Sequence, residues 1–307
     1  MCDVIGIGSA VYDMLMLVDE LPQEDTKIQS RSTRIQSGGP CSTALGAASR
    51  LGMRVEYMGT LANDFLGKSM RNDFRKYGIG SKYVRVVENY ESFHSVVLVN
   101  PNNSTRTCVW NRGTVPPPTK ADVNLNALKS SKYLYLDGHH HEAALHAANN
   151  AKEFGVKVVL DAGGFYPGIG DLIAVADILI PSEEFALKYS SQNTAQEAAT
   201  TIFKAVKPEL LVITQGKHGG LLYDGKVMER YPAFEVNAID TNGAGDVFHG
   251  AFVAGHARGL SPADCACFAS AVSAMSCRHF GSRDGVPTYE QTLEFLVERG
   301  VTIHERA

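Results

Sequence analysis

The sequence predicts an α/β fold: a mostly parallel sheet covered by helices on both faces, with a small β lid beside it. Three observations carry this reading. From residue 130 to 214, short apolar runs alternate with amphipathic segments, the rhythm of strand–helix–strand units. Two stretches, 19–37 and 92–111, alternate apolar and polar residues outside that rhythm, as half-exposed antiparallel strands do. Near the carboxyl end, Asp240-Thr241-Asn242-Gly243-Ala244-Gly245-Asp246 separates a strand-like run, Phe234 to Ile239, from a long apolar helix pattern, Val247 to Gly259. No linker or internal repeat divides the chain, so 1–307 reads as one domain whose lid comes from about 19–37 and 92–112.

In order, Val4 to Ile7 is a short apolar strand closed by Gly8-Ser9-Ala10, and with Met14 to Val18 it is expected to form a first edge of the sheet. Gly38-Gly39-Pro40 opens a helix packed through Ala44, Leu45, Ala47, Ala48 and Leu51 and stopped by Gly52. Val55 to Gly59 is a strand, and Lys68 to Tyr77 a helix closed by Gly78. Strands follow at Tyr133 to Leu136, Val156 to Leu160, Ile178 to Pro181 and Leu210 to Thr214. The helices between them are Glu142 to Phe154, Asp171 to Ala176, Glu183 to Tyr189 and Ala195 to Val206. Gly220 to Tyr223 and Lys226 to Tyr231 form a hairpin around Asp224-Gly225, and Ala263 to Arg278 and Tyr289 to Arg299 are the last helices.

Bulk composition narrows the function. A net charge of -4 with 44% apolar and 20% charged residues argues against a nucleic-acid binder, which needs a basic face. No signal peptide is read at Met1-Cys2-Asp3 and no run is long enough to span a bilayer, so a cytoplasmic protein is expected. The six cysteines form no CxxC pair and read as reduced thiols. Three apparent motifs fail on inspection. Gly6-x-Gly8 lacks the third glycine of a dinucleotide fingerprint, because Val11 holds its place. Gly67-Lys68-Ser69 lacks the first glycine of a P-loop, because Ala62 stands there. His139-His140-His141 cannot all face one ion from consecutive positions.

The Asp240 to Asp246 turn carries the chemistry. A strand, a glycine-containing turn and a helix start make an anion site, because the first-turn amides have no intrahelical acceptor and the dipole favours negative charge there. Gly243, Ala244, Gly245 and Asp246 would supply the anion hole, and Asp246 a carboxylate base beside it. Such a pair suits phosphoryl transfer to a hydroxyl, where positioning and charge stabilisation dominate. Asp240 reads as structural or as a cation holder. Asp13 follows a strand end and can fork onto two hydroxyls, with Gly38 and Gly39 letting the chain pass close to a ligand. The strand-end loops around Asp137 to His141, Asp161, Ser182 to Glu184 and Gly216 complete a polar rim.

These residues support a family resemblance over essentially the whole chain. Asp240 to Phe252 resembles the carboxyl-terminal signature of the ribokinase-like (PfkB) carbohydrate kinases, Gly38 to Gly52 their amino-terminal signature, and Gly59 to Gly67 a recurrent segment. The resemblance implies a three-layer ribokinase-like sandwich, ATP-dependent phosphorylation of a sugar's primary hydroxyl, Mg2+, and a lid over the sugar. By it, Asp246 is the base, Gly243 to Asp246 the anion hole, and Asp13, Gly38 and Gly39 sugar contacts. Thr214, Gly216 and Gly219 fall on the nucleotide loop, while Gly281, within His279 to Gly285, falls on the adenine and monovalent-cation side, with K+ beside Asp240. Two positions depart from the family pattern. Thr43 stands where an asparagine is usual, and Ser182-Glu183-Glu184-Phe185 replaces Asn-x-x-Glu, leaving Glu183 or Glu184 to handle Mg2+ through water. With Val247-Phe248-His249 these departures lean toward the ketohexokinase and sulfofructose-kinase side.

The sugar itself is left open. Lys27, Arg106, Asn111 and Arg112 of the lid and His139 are the expected specificity residues, and Arg106 or Arg112 could face an anionic group on the substrate. A nucleoside kinase of the same superfamily is the alternative, for which Tyr12, Phe93 and Trp110 are the available aromatics. A non-catalytic sugar sensor is the second. A lid of this kind exposes an apolar face, so a homodimer through it is expected.

Overall fold

Doubly buried strands build the centre of the molecule, and their alternation shows why. Val4 packs with one layer of helices and Ile5 with the other; Val159 faces the first layer, Val158 and Leu160 the second. Strands with both faces covered read as continuous apolar runs. The computed structural model describes residues 2–102, 105–281 and 283–304. Residues 103 and 104, in the expected lid, and 282, in the expected adenine-side segment, lie outside the described residues.

The strands are β1 (Val4–Ile7), β2 (Val11–Leu17), β3 (Ser32–Gly38), β4 (Val55–Ala62), β5 (Ile79–Val87), β6 (His94–Asn100), β7 (Thr105–Asn111), β8 (Tyr133–Leu136), β9 (Lys157–Ala162), β10 (Ile178–Pro181), β11 (Leu210–Thr214), β12 (Gly220–Tyr223) and β13 (Met228–Tyr231). The helices are α1 (Pro40–Arg50), α2 (Phe65–Lys76), α3 (Leu125–Lys129), α4 (His141–Phe154), α5 (Ile169–Val175), α6 (Glu183–Ser190), α7 (Ala195–Val206), α8 (Ala244–Ala257), α9 (Pro262–Ser276) and α10 (Tyr289–Val297). The main sheet runs β13-β12-β11-β10-β9-β8-β1-β4-β5. It is parallel from β5 to β11, and β12 and β13 turn back antiparallel. One core lies under α1, α2, α8, α9 and α10, the other under α3 to α7. The three-layer α/β sandwich expected from the resemblance is therefore present.

Three details differ from the sequence reading. β1 is interior, between β4 and β8, rather than an edge. The chain winds outward from β1 on one side through β4 and β5 and on the other from β8, which makes the β1/β8 boundary the topological switch where α/β sheets bind ligands. The lid is a four-stranded sheet, β3-β2-β6-β7, so it takes in Val11–Leu17 as well as the two expected stretches. After Gly8-Ser9-Ala10 the chain leaves the main sheet, and β2 pairs antiparallel with β3 and parallel with β6. Phe234 to Ile239 forms no strand, because β13 already closes that edge; Phe234 and Val236 pack instead onto the α9–α10 core. The structure also adds an edge strand, β5, whose charged Lys82 and Arg85 suit an exposed position.

Candidate active site

The carboxyl ends of the parallel strands and the inner face of the lid enclose two adjoining cavities. The first, of about 440 Å³, is lined by the lid residues Asp13, Phe93, Ser95, Arg106, Cys108 and Trp110. Gly38, Gly39 and Thr43 line it from the start of α1, Asp137, Asp161 and Tyr166 from strand ends, and Thr241 to Asp246 with His249 from the start of α8. The second, of about 570 Å³, lies between β11, the 231–238 segment and α9. Thr214, Thr241, Ala244 and Gly245 line both, so the helix start is the shared wall.

Local hydrogen bonds shape that wall. Gly243 takes a left-handed conformation, φ 73°, that turns the chain into α8. Asp240 holds the turn from below: its carboxylate accepts the amides of Asn242 at 2.8 Å and Gly281 at 3.0 Å. Ala244 spends its amide on the Thr241 carbonyl, at 3.3 Å. The amides of Gly245 and Asp246 have no such backbone partner among the described residues and remain to bind an anion. A Cβ at Gly245 would meet nothing within 4 Å, so the protein itself does not require glycine there; the room belongs to the cavities.

Asp246 sits in the first turn, partly open to the first cavity. Burial, and then the neighbouring Asp161 carboxyl, push its pKa up to about 7. Asp161, at the end of β9, is likewise pushed up to about 7 by burial and by Asp137. Asp137 is held well below the usual carboxylate range despite its burial, because His139 and the Ser9 amide stabilise its charge. It accepts the amides of Ser9 at 2.7 Å and Cys41 at 3.1 Å, which ties the end of β8 to β1 and α1. Asp13 lies across the cavity on β2, accepting a 2.6 Å hydrogen bond from the Ser95 hydroxyl, and burial raises its pKa to about 6. Gly38 is obligatory here, since a Cβ would overlap the Asp13 carboxylate.

The other expected site residues divide. Gly39 and Thr43 line the first cavity, and Thr214, Gly216 and Gly219 the second. Gly281 lines neither; its amide serves Asp240. The apolar wall of the second cavity comes instead from Tyr231, Phe234, Val236 and Phe248, with Ser270, Ser273 and Cys277 opposite on α9. Lys27 is exposed on the irregular segment before β3 and lines neither cavity. Asn111 is exposed and accepts the Gly113 amide at 2.9 Å. Arg112 lies over the Phe93 ring, 5.1 Å from its centroid, behind the cavity rather than in it. His139 bonds Asp137 and packs at a tilt against Tyr166, ring centroids 4.2 Å apart, so it backs a lining residue without being one. Glu183 accepts a 2.6 Å hydrogen bond from Gln215, and Glu184 is exposed on α6; neither faces the cavities, whereas Ser182 does. Among the described residues no group of three or more His, Cys, Asp or Glu is arranged to hold a metal.

Several lining residues were not assigned from sequence. Asp137 and Asp161 were visible as carboxylates ending apolar strands, a usable signal. Ser95 and Cys108 become legible only through the register Asp13↔Ser95 and Val97↔Cys108, which puts Ser95 on the Asp13 face of the lid. Tyr166 carried no signal, and His249 was singled out only within Val247-Phe248-His249, not as a lining residue.

A family model described as pfkB family carbohydrate kinase matches residues 1–289. The ribokinase of Haemophilus influenzae is 28% identical over 305 residues, covering 94% of this chain and 97% of that protein. That of Bacillus subtilis is 26% identical over 297 residues, covering 96% and 100%. The solved structure of Arabidopsis thaliana ribokinase, complexed with ribose and ATP, superimposes with a TM-score of 0.82 at 23% identity, covering 95% and 98%, a likeness of fold. No described helix is long and apolar enough to cross a membrane.

Proposed function

The chain belongs to the pfkB family of carbohydrate kinases, and on that premise we propose that it transfers the γ-phosphoryl group of ATP to a sugar hydroxyl with Asp246 as general base. The observation that carries the reading is the start of α8, where two free amides stand by the wall between an acceptor-sized and a nucleotide-sized cavity and the Asp246 carboxylate lines the acceptor side. In this reading Asp13 accepts hydrogen bonds from sugar hydroxyls, with Gly38, Gly39 and Thr43 beside it. Asp246 takes the proton of the reacting hydroxyl. Its oxygen attacks the γ-phosphorus in line, the bond to the β-phosphate oxygen breaks, and ADP leaves. The amides of Gly245 and Asp246 face the transferring group. The lid excludes water and limits wasteful hydrolysis of ATP.

The nucleotide slot suits ATP. Cβ atoms at both Gly216 and Gly245 would point into open space, and the slot is apolar where a base would lie and amide-rich where phosphates would lie. For Mg2+ the described side chains form no cage, so the ion would rest chiefly on phosphate oxygens and water, where it would neutralise phosphate charge. A monovalent cation such as K+ next to Asp240 belongs to the same proposal. So do a single kinase domain over 1–307, a second copy bound through the lid, and a cytoplasmic location.

A second reading, a nucleoside acceptor, is favoured by one observation: Phe93 and Trp110, edge to face at 5.9 Å, both line the acceptor cavity. Tyr12 does not line it. Arg106, also lining, provides for an acceptor bearing an anionic group. The test is an ATP-consumption screen over free, phosphorylated, carboxylated and sulfonated sugars and nucleosides, with Asp246→Asn as control. ADP release with one acceptor and its loss in the variant support the reading and exclude a non-catalytic sensor. Undiminished turnover in Asp246→Asn overturns the assignment of the base.

A further inference from the structure

We propose that Arg283 is a positioning residue for the acceptor: through Ser37 and Ser42 its guanidinium holds the Gly38-Gly39 turn in the form that presents the Gly39 amide to the first cavity. The proposal deepens the kinase reading and rests on it for the nature of the ligand, while the geometry of the turn stands alone. By the family resemblance the 279–285 segment falls on the adenine side, and Gly281 does serve the α8 turn. Arg283 runs the other way. It is 3% exposed, and its chain passes α1 at Gly46, where a Cβ would lie 3.5 Å from its Cδ. Nη1 donates to the Ser37 hydroxyl at 2.8 Å, near the end of lid strand β3. Nη2 donates to the Ser42 hydroxyl at 2.5 Å, in the first turn of α1. Ser37 and Ser42 bracket the Gly38-Gly39 turn, where the lid passes into the helix layer.

The bond directions follow from the chemistry of the groups. A guanidinium has donors only, so both hydroxyl oxygens accept from it. The one hydrogen of the Ser42 hydroxyl is then left for the Gly38 carbonyl, at 2.5 Å. In a trans peptide the carbonyl and the following N–H point in opposite directions. With the Gly38 carbonyl turned onto Ser42, the Gly39 N–H turns away from α1. That amide has no partner among the described residues, and Gly38 and Gly39 both line the first cavity. Gly39 holds the turn at φ 89°, a conformation that suits glycine. From the other side the Ser37 amide donates to Asp73 Oδ2 at 2.6 Å, which anchors the end of β3 on α2. The energetics argue that Arg283 does more than fill space. Both of its hydrogen bonds go to neutral hydroxyls, and its Nε is buried with no partner. The Tyr77 ring lies 5.5 Å away, and Asp73, Asp13 and Asp246 attract the charge from a distance. A buried cation without a bonded carboxylate is less favourable than an apolar side chain of similar volume. Packing alone would be better served by methionine, which lacks two donors aimed at two hydroxyls.

The experiment compares Arg283→Met, Ser42→Ala and the double variant, with the acceptor that turns over fastest in the ATP-consumption screen, and follows amide exchange of the free protein by NMR. Each single variant is expected to raise the acceptor KM by about tenfold and to leave the ATP KM within about twofold. The double variant is expected to match Arg283→Met, because the two residues act in one chain. Lost stability alone would lower the active fraction and leave both KM values unchanged. In the wild type the Gly39 amide is expected to exchange freely, while those of Ser42 and Thr43, bonded to the Ser9 and Gly39 carbonyls, are protected. Equal rises in both KM values, an unchanged acceptor KM, effects that add in the double variant, or a protected Gly39 amide would overturn the proposal. A protein without turnover on any acceptor, whose Gly39 amide exchanges freely and shifts in Arg283→Met, would count against the kinase reading alone. Should Arg283→Met fail to fold, Ser42→Ala and the wild-type exchange still decide.

Discussion

Gly245→Ala separates what the fold needs from what the reaction needs. Gly245 is in the first turn of α8, and a methyl group there meets no atom within 4 Å. Replacing glycine by alanine in a helix stabilises by roughly 0.5–1 kcal/mol, and a first-turn position receives the lower part of that. At about 0.5 kcal/mol, a chain of this size gains about 1–2 °C in Tm. The same methyl occupies the space shared by both cavities, where a phosphate oxygen must approach the Gly245 amide to about 2.9 Å. Losing one such donor, or shifting the reacting group by about 1 Å, costs about 10²–10³ in kcat, equivalent to about 3–4 kcal/mol. Stability and turnover should therefore move in opposite directions. Thermal unfolding and a coupled ADP-release assay on one preparation measure both. A variant with raised Tm and wild-type turnover would refute the placement of phosphate over the α8 amides. Gly38→Ala is the contrast, because its Cβ would overlap the Asp13 carboxylate and is expected to harm folding and turnover together.

Other expectations follow from the same geometry. Asp246 must be ionised to accept a proton, and its pKa is raised to about 7, so kcat/KM is expected to fall as pH drops through about 7; a profile flat down to pH 5 would remove Asp246 as the base. Raised carboxyls also have a stability signature. A folded-state pKa above the unfolded value stabilises fully below the unfolded pKa, and that stability is lost as pH rises through the folded pKa. Asp246→Asn is therefore expected to stabilise the fold more at pH 8 than at pH 4, by at most about 4 kcal/mol, which differential scanning calorimetry would show as the larger rise in Tm at pH 8. Asp13→Asn is expected to raise the sugar KM by about tenfold or more with little change in ATP affinity, since Asp13 lines only the first cavity; an unchanged KM would sink its role as sugar contact. On the outer face of the lid, the registers Met14↔Ile35, Met14↔Val96 and Val96↔Val109 align the exposed Ile35, Val96 and Val109 around the half-buried Met14. Val109→Glu is accordingly expected to shift sedimentation from dimer to monomer, and an already monomeric wild type would discount the lid interface.

Legibility from sequence followed the range of the interactions involved. The interior strands of the main sheet were readable because burial on both faces leaves unbroken apolar runs such as Val158-Val159-Leu160, whereas the edge strand β5, with its charged residues, was not. The α8 start was readable because the Asp240 to Asp246 turn is built mainly from local chemistry, an Asx-type aspartate and a left-handed glycine at the helix start, with the Gly281 amide as its distant support. What failed depended on pairing between distant segments. Nothing local tells Val11–Leu17 to join the lid rather than the main sheet; that follows from its partners 32–38 and 94–99. Phe234 to Ile239 shows strand-like polarity because Phe234 and Val236 face a helix layer, not because a neighbouring strand awaits it. The same reason separates Asp13 and Asp246, which a sequence motif can flag, from Tyr166 and His249, whose place depends on side chains contributed by other strands.

The shared wall also has a practical consequence. Thr214, Thr241, Ala244 and Gly245 line both cavities, so the two adjoin at the start of α8. A single compound with an acceptor-like head and a nucleotide-like tail could occupy both at once. The binding of its second half would then be intramolecular, with an effective concentration in the range of about millimolar for a short flexible connection. The two ends would also differ in selectivity. The head would read Asp13, Arg106 and Trp110 of the lid, and the tail would read a slot built without the lid.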